Sequence, residues 1–575
     1  MTKREIARVL NEIAFFLRLR EENVYRSRAY ERAGRALLVC PEDPRQLVDS
    51  GRLTEVKGIG PGTASVITEL MSTGASTLHQ TVKGSYPSSL VELGAVPRLG
   101  PKQIRRLYDQ AGIQSVAELQ VACRNNQLLA LKGIGPRVQA KVQAALGEFQ
   151  RGQGYRLYAN VLEEAYSLEK GLTKIRGVGT VTVAGDLRRK MEVINAYHFV
   201  IGWEENDMAR FLDGLEATPN ITGVLMTHKN TVSAISPTDL PLTITLAPRK
   251  HYDFYLLQAT GSEEHLRQLL THFAAQGLHN WEAVRARFKG SSEEAIYRAA
   301  GLPFVPAELR EGRDEFEIIK RNGSARLIEP SQIQGFFHLH TDYSDGDGTV
   351  EEMVIAARDR GYTYIGISDH SQSAFYANGL KEPQIRKQWA EIDAVQQKYK
   401  DIHVFKGIEA DILPDGSMDY PDHLLAEFDF VIASVHSRFN LSEADQTRRV
   451  CRALANPYVT MLGHPTGRLL LSRPGYRVDL TQVVNAAVTH RKVLEINGSR
   501  HRLDLDWRFV RFAKAQDVKF SINPDAHAVE ELRNVSFGVN VARKGGLDTQ
   551  DVVNTKTLSE MKAFLSHMRM GTNLR

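Results

Sequence analysis

Six histidines and three carboxylates that follow residue 335 lie almost all at the ends of short apolar runs. QGFFHLHTDYSDG carries His338, His340 and Asp345, and YTYIGISDH carries His370. VFKGIEADIL holds Glu409, DFVIASVH ends in His436, VTMLGH in His464, and KFSINPDAH supplies Asp525 and His527. Alternate residues of a strand share one face, so His338 and His340 can grip one ion. Imidazole and carboxylate donors suit zinc or manganese. A lone histidine after a strand is usually a capping or hydrogen-bonding residue, whereas nine such residues in phase read as one multinuclear metal site.

The elements that must position these residues follow from the same pattern. Six strand-like runs each finish in a ligand-type residue and are followed by a helix-like stretch, the signature of a parallel β/α barrel presenting side chains at one rim. Lys406 and Asp411, beside Glu409, read as structural.

With 575 residues the chain is too long for one core and predicts three or four domains. No apolar run approaches the roughly 18 to 20 residues that cross a bilayer, and the start MTKREIARVL lacks a signal-peptide pattern, so the expected location is cytoplasmic. Cys40, Cys123 and Cys451 match no zinc or redox spacing and read as packing residues of a reducing compartment. The net charge is +5, but residues 1–150 hold 21 Lys and Arg against 14 Asp and Glu, so the front carries +7 and the rest −2. A basic front is compatible with nucleic acid.

Motifs inside that front sharpen the reading. VKGIGPGTASVI (56–67) and LKGIGPRVQAKV (131–142) repeat one design, with a weaker copy, VPRLGPKQIRRLY (96–108). Each joins two helices through a glycine turn at Gly58 and Gly60, Gly133 and Gly135, or Gly100. Glycine lets the backbone approach closely, and free N–H groups at the start of the second helix can hold a phosphate without reading a base. These segments resemble helix-hairpin-helix motifs. Flanked by Lys102, Arg105, Arg106, Lys132 and Arg137, they imply sequence-independent DNA binding. Val66, Ile67 and Leu70 are expected in the interhelical core.

Residues 1 to about 315 resemble a family X DNA polymerase through NVYRSRAYERAGRAL, the hairpin motifs, AGDLRR (184–189), ATGSEEHLRQL (259–269) and GLPFVPAELREGRDEFE (301–317). The resemblance implies lyase-like, fingers-like, palm and thumb parts, and its departures bear on activity. Nucleotidyl transfer needs carboxylates holding two magnesium ions. Aligned on Arg188 and Arg189, the family's paired aspartates become Ala196 and His198, the third becomes Thr243, and the serine that meets the triphosphate becomes Asp186, a like-charge contact. Gln258 and Ala259 replace the aromatic pair that supports the nucleotide. Glu192, Glu204, Glu205 and Asp207 are nearby, but the strand period does not put two of them on the metal-facing side. Magnesium in the palm and polymerase activity are therefore expected to be lost, and Val66 standing at the lyase lysine of some relatives leaves no evident Schiff-base nucleophile.

From about residue 333 the chain resembles the PHP (polymerase and histidinol phosphatase) domain. That resemblance implies three divalent ions, manganese or zinc: His338, His340, Glu409 and Asp525 on one, Glu409, His436 and His464 on a second, and Asp345, His370 and His527 on a third, with Glu409 as the catalytic bridge. The usual Asp-Leu before the first histidine is Phe336-Phe337 here. Arg438 and Arg468 are the expected phosphate clamps, with Arg502 a third.

The expected fold is thus multidomain, α+β and α/β: a lyase-like helical domain (1–80), a fingers-like helix-hairpin-helix domain (81–150), a degenerate nucleotidyltransferase palm (151–250), a thumb (251–320), a linker of limited flexibility (321–334) and a distorted (β/α)7 PHP barrel (335–575). The expected activity is metal-dependent 3′–5′ exonuclease action in DNA repair on gapped DNA or 3′ ends, by a monomer with no membrane partner, AP-endonuclease or 3′-phosphatase action sharing the site. The alternatives are a gap-filling polymerase with a PHP exonuclease, a non-enzymatic DNA-end scaffold, and a small-molecule phosphatase with the front as an address tag.

Overall fold

Gly58 and Gly133 adopt φ of +100° and +81°, the left-handed region closed to most side chains, and each turns the chain into a new helix. Those helices, Pro61–Thr73 and Pro136–Gly152, start on proline, as does Pro101–Ala111. Proline suits a first helical turn because its missing N–H would have had no intrahelical partner. Two of them end on left-handed glycines, Gly74 and Gly112. They pack with the helices Lys3–Leu19 and Val24–Val39 around a core that includes Ile13, Phe16, Ile67, Leu70, Ile104 and Leu107. The computed structural model describes every residue except 2, 23, 41, 85, 97–98, 132, 153, 205–207, 219–220, 229, 323–325 and 571–575. Lys132, Glu205 and Asp207 thus lie outside the described residues. The helical front forms one unit, Met1–Gln153, and the remainder, Gly154–Arg575, forms a second.

The second unit begins with a five-stranded sheet. Its strands are β1 (Val178–Val183), β2 (Tyr197–Trp203), β3 (Thr222–His228), β4 (Thr231–Ile235) and β5 (Pro241–Ala247), in the order β1-β2-β5-β4-β3. Only the β2–β5 pair is parallel. The thumb follows as short helices whose N-termini are capped by Ser262, Asn280 and Ser292, each accepting a backbone N–H. Phe254, Leu257, Leu269, Phe273, Ile296 and Tyr297 form its core.

Seven strands build the barrel: β6 (Gly335–Phe336), β7 (Tyr364–Ile367), β8 (His403–Asp411), β9 (Phe430–Ser434), β10 (Met461–Leu462), β11 (Val493–Asn497) and β12 (Phe520–Asn523). They run in sequence order, and every neighbour pair is parallel. A bridge between Leu339 and Ala526 brings the two edges together, so the ring is nearly closed. Strands covered on both faces read as near-continuous apolar runs, and β7, β9 and β11 are buried at every position. Phe337, Tyr364, Phe405 and Phe430 fill the end away from the site, closed by Met561 and Leu565 of the helix Leu558–Met570. The unusual Phe336-Phe337 pair is core: Phe337 meets Phe430 at 4.7 Å and Phe336 meets Tyr362 at 4.8 Å between ring centres.

Palm, thumb and barrel are fastened to one another. Glu192 accepts from Trp507 Nε1 at 3.2 Å and from Arg508 at 2.6 Å, while Lys544 donates to the Arg189 carbonyl at 3.0 Å. The segment read as a linker of limited flexibility is held to the barrel from Ile328 onward. The Ile328 N–H donates to the Leu547 carbonyl, the Gln334 N–H to that of Asn554, and Arg543 pairs with Glu308 and Glu329. No helix among the described residues is long and apolar enough to cross a membrane.

Candidate metal centre

The carboxyl ends of six barrel strands deliver the nine residues singled out above to one place. His338 and His340 follow β6, His370 follows β7, Glu409 ends β8 with Asp411, His436 follows β9, His464 follows β10, and Asp525 and His527 follow β12. His338, His340 and Glu409 are fully buried. Glu409 is the hub: its carboxylate oxygens lie 2.8 Å from His370 Nδ1, 2.9 Å from His464 Nε2, 3.2 Å from His436 Nε2 and 3.3 Å from His338 Nε2. Asp525 Oδ1 is 3.4 Å from His340 Nε2 and 3.5 Å from His338 Nε2. His338 and Asp525 hold φ of +57° and +49°. Such strain at non-glycine residues survives only where packing over-determines the backbone.

Four groups have ligand atoms mutually within 4.8 Å: His340, Asp345, His370 and His527; His338, His464 and Asp525; His338, His340 and Glu409; and His370, Glu409 and His436. His464 thus groups with His338 and Asp525 as well as lying 2.9 Å from Glu409, and His370 reaches both Asp345 and Glu409. The site has the chemistry of a cation cage. His338 Nε2, both ring nitrogens of His340, His370 Nδ1, His464 Nδ1 and Glu409 Oε2 are buried without a hydrogen-bond partner, a costly condition that bound divalent ions relieve. Burial opposes ionisation of Glu409, but the imidazoles of His436, His338 and His370 outweigh it and hold its carboxyl well below the usual range. Asp525 is likewise depressed against its burial, by His338 and His340. These side chains present negative charge where cations would sit.

A second layer fixes the first, and most of it escapes sequence reasoning. Glu495 Oε1 lies 2.6 Å from His338 Nδ1, and its other oxygen accepts the His464 N–H at 2.5 Å. Asn523 and Asn497 donate to Glu495, and Asn497 also donates to Asp525 at 3.0 Å. Asp411, read above as structural, has its Oδ1 2.7 Å from His436 Nδ1. Such partners set tautomer and ring direction for a ligating histidine. Asp369 ties down the loop bearing Asp345 by accepting from the Thr341 N–H and hydroxyl, at 2.8 and 2.7 Å, and from Ser344. One signal was available: Glu495 is the lone charge in the buried run VLEIN.

The arginines divide. Arg468 is corrected as a clamp, because its guanidinium already donates to the carbonyls of Arg502 and Leu503 and to Asp506. It braces the segment that carries Arg502, whose Nε is 3.2 Å from Asp525 Oδ2. Arg438 is exposed two residues after His436, with no side-chain partner among the described residues. Lys406 pairs with Asp393 at 2.6 Å, away from the cluster.

In the palm, His198 on β2 and Thr243 on β5 are direct register partners, and Ala196 sits just before β2. His198 Nε2 lies 3.0 Å from Thr245 Oγ1, and burial pushes its imidazole down to about 4, so it stands neutral. Asp186 is tied to Arg189. Glu192 is spent on Trp507 and Arg508, and Glu204 pairs with Arg249. Among the described residues the palm brings no three metal-ligand side chains together. Arg188 and Arg189 are taken up structurally. Arg188 forks onto Glu293 at 3.1 and 2.6 Å, and Arg189 reaches Glu311 at 3.0 Å.

In the helical front, a Cβ placed on Gly60, Gly100 or Gly135 would meet nothing within 4 Å, so these turns lie open. Lys102 is 82% exposed beside the second of them, and Arg137 is exposed at the start of the helix after the third. Arg106 reaches across to the Gly133 carbonyl at 3.5 Å, linking two of the hairpins.

Comparison with known proteins agrees with this division. Residues 1–76 match a helix-hairpin-helix domain, residues 90–148 a SAM-like helix-hairpin-helix tandem, and residues 337–498 the PHP domain. A probable phosphatase of Thermoanaerobacter sp. (strain X514) is 27% identical over 246 residues, 40% of this chain and 94% of its own length. One of Caldicellulosiruptor saccharolyticus is 32% identical over 253 residues, 41% and 97%. The DNA polymerase/3′-5′ exonuclease PolX of Bacillus subtilis (strain 168) is 34% identical over 574 residues, 98% of this chain and 99% of its own. Helix-hairpin-helix turns, a palm-like sheet and a PHP barrel in one continuous match place the chain in the PolX family of DNA polymerase/3′-5′ exonucleases.

Proposed function

We propose that this protein is a divalent-metal-dependent phosphoesterase that shortens DNA from the 3′ end during repair, and that its palm no longer transfers nucleotides. The observation that carries this reading is the gathering of six histidines and three carboxylates, Glu409 among them, into overlapping groups, with buried ring nitrogens left without partners. Three ions, manganese or zinc, would occupy it: one on His338, His340, Glu409 and Asp525, one on Glu409, His436 and His464, and one on Asp345, His370 and His527. When bound, clustered ions lower the pKa of a bridging water and offset charge on the attacking and leaving oxygens of a phosphate ester.

The chain's own residues do the rest. Glu495 and Asp411 hold His338 and His436 with one nitrogen aimed inward. Arg438, exposed at the rim, takes a non-bridging phosphate oxygen, and Arg502 lies beside Asp525 to take another. The open glycine turns of the front grip DNA phosphates without reading sequence. Duplex with a gap or a 3′ end is the substrate this combination suits, and an abasic site or a 3′-phosphate presents the same ester to the same residues. Gap filling by this chain is disfavoured, because the positions that would hold magnesium are Ala196, His198 and Thr243.

The test is a 5′-labelled gapped primer incubated with manganese, with and without nucleotides, beside a His338→Ala, His340→Ala variant. Shortening that the variant lacks, and no lengthening with nucleotides, is the expected result. Nucleotide-dependent lengthening would overturn the palm assignment, and equal shortening by the variant would overturn the barrel assignment.

A further inference from the structure

Next to the metal cluster, the short 3-10 turn Phe375–Ala377 presents two large apolar rings to solvent: Phe375 is 83% exposed and Tyr376 70%. Exposed aromatic side chains are expensive to leave unpacked, and a pair at the mouth of a reaction site marks a binding surface.

The loop that carries them is rigid. Ser371 Oγ and the Ser373 N–H both donate to Asp419, at 2.7 and 2.9 Å. The Leu380 N–H donates to the His370 carbonyl at 2.8 Å, and Asn378 Nδ2 donates to the Ser344 carbonyl at 3.3 Å. Ala374, Ala377 and Leu380 are fully buried beneath it. A Cβ on Gly379 would fall 1.8 Å from the Ser371 carbonyl oxygen, so the chain crosses itself where only glycine fits. The sequence thus anchors this loop on every side and still turns both rings outward. A side chain that merely failed to find the core would not need so constrained a support.

Tyr376 stands within reach of the cluster. Tyr376's ring centre lies 6.1 Å from that of His370 and 6.4 Å from that of His436, about the span of the sugar that separates a base from its own phosphate. Among the described residues, Phe375, its chain neighbour in the same turn, packs on no other ring. Every base has a π-face, so stacking on aromatic side chains binds single-stranded nucleotides without reading their sequence. An end of a strand offers such bases once it is unpaired, and a closed duplex does not.

We propose that Phe375 and Tyr376 form a stacking platform for the last two bases of an unpaired DNA 3′ end, Tyr376 taking the terminal base and Phe375 the next. The platform rests on the phosphoesterase reading above and adds what that reading leaves open, how the site recognises the end it cuts.

The full chain with manganese is given two 5′-labelled oligonucleotides that differ only at the 3′ end, one with two thymidines and the other with two abasic tetrahydrofuran residues. The wild type is expected to show a KM about thirtyfold or more lower for the thymidine end, the effect of losing two base–aromatic stacks. The Phe375→Ala, Tyr376→Ala variant should cut both alike, with the KM the wild type shows for the abasic end and an unchanged kcat. Phe375→Trp, Tyr376→Trp should restore the preference, which separates stacking from general loop damage. A variant that keeps the wild-type preference, or a wild type that cuts both ends with one KM, would overturn the platform alone. Failure of the wild type to cut either oligonucleotide would overturn the phosphoesterase reading, and the platform with it.

Discussion

Glu495 and His338 face each other across the barrel with Oε1 and Nδ1 2.6 Å apart, both fully buried. The carboxylate leaves Nε2 of the histidine to point at Glu409 and Asp525. Its second oxygen also fixes the backbone of His464. One residue outside the ligand set therefore orients two members of it.

Glu495→Gln keeps the shape and removes the charge. Metal affinity should fall between about 10-fold and 100-fold, the usual effect of losing a partner behind a ligating histidine. Metal retained after dialysis and the manganese dependence of DNA shortening would both report it. Retention equal to the wild type would mean that Glu495 does not tune the site.

Removing the ions should destabilise the fold as well as silence it. A ligand that binds only the folded state adds stability by mass action, and buried ring nitrogens of the cluster have no hydrogen-bond partner in its place. Chelation should lower the thermal midpoint of the wild type and leave that of His338→Ala, His340→Ala much less affected. Calorimetry with and without chelator would decide, and equal shifts would argue against the cage.

The palm histidine predicts an acid-sensitive term. His198 is pushed down to about 4 by burial, whereas an unfolded histidine titrates at about 6.5. The unfolded chain therefore takes the proton first. The contribution of His198 is complete above about pH 6.5 and is lost as pH falls from there to about 4, by an order of about 3 kcal/mol. His198→Gln should flatten that part of the stability-versus-pH curve, measured by denaturant unfolding.

Glu293 clasps Arg310, which is fully buried, and Arg188. Burial opposes its ionisation, but Arg310 and Arg188 prevail and bring it down to about 2. Glu293→Ala leaves Arg310 charged and buried without a carboxylate, and should cost about 3 kcal/mol. In the wild type this contribution is present above about pH 4.5 and lost as pH falls through about 2. Denaturant midpoints of wild type and variant at pH 7 would test the first claim.

In the front, Gly60→Ala, Gly135→Ala should leave the fold intact, since a Cβ meets nothing within 4 Å at either place. The methyl groups would hold a phosphate off the backbone N–H groups, and DNA affinity should fall about tenfold, equally for all sequences. Fluorescence anisotropy on two unrelated duplexes at fixed salt would reveal either that uniform loss or no loss, and the latter would place the DNA surface elsewhere.

Local chemistry made much of this protein legible in its sequence. Strand ends bearing His338, His370, Glu409, His436, His464 and Asp525 announced a parallel barrel, because period-two strands can aim their last residues at one rim. The glycine-proline turns announced the front, because φ near +100° excludes other residues. At Ala196, His198 and Thr243 the sequence shows no carboxylate, because residue type alone decides that. Tertiary structure decided what depends on distance between remote segments. Glu495, one charge in an apolar strand, became the partner of His338 only when the nearly closed ring brought the ends of β6 and β11 together. Arg468 looked like a clamp from its place after His464, yet its donors were claimed by the loop at 502–506, 34 or more residues onward. Arg188, Glu293 and Arg310 joined palm to thumb through a buried ion cluster that no local pattern encodes. Spacing along the chain specifies what each segment can offer, and only the packed fold specifies which offers meet.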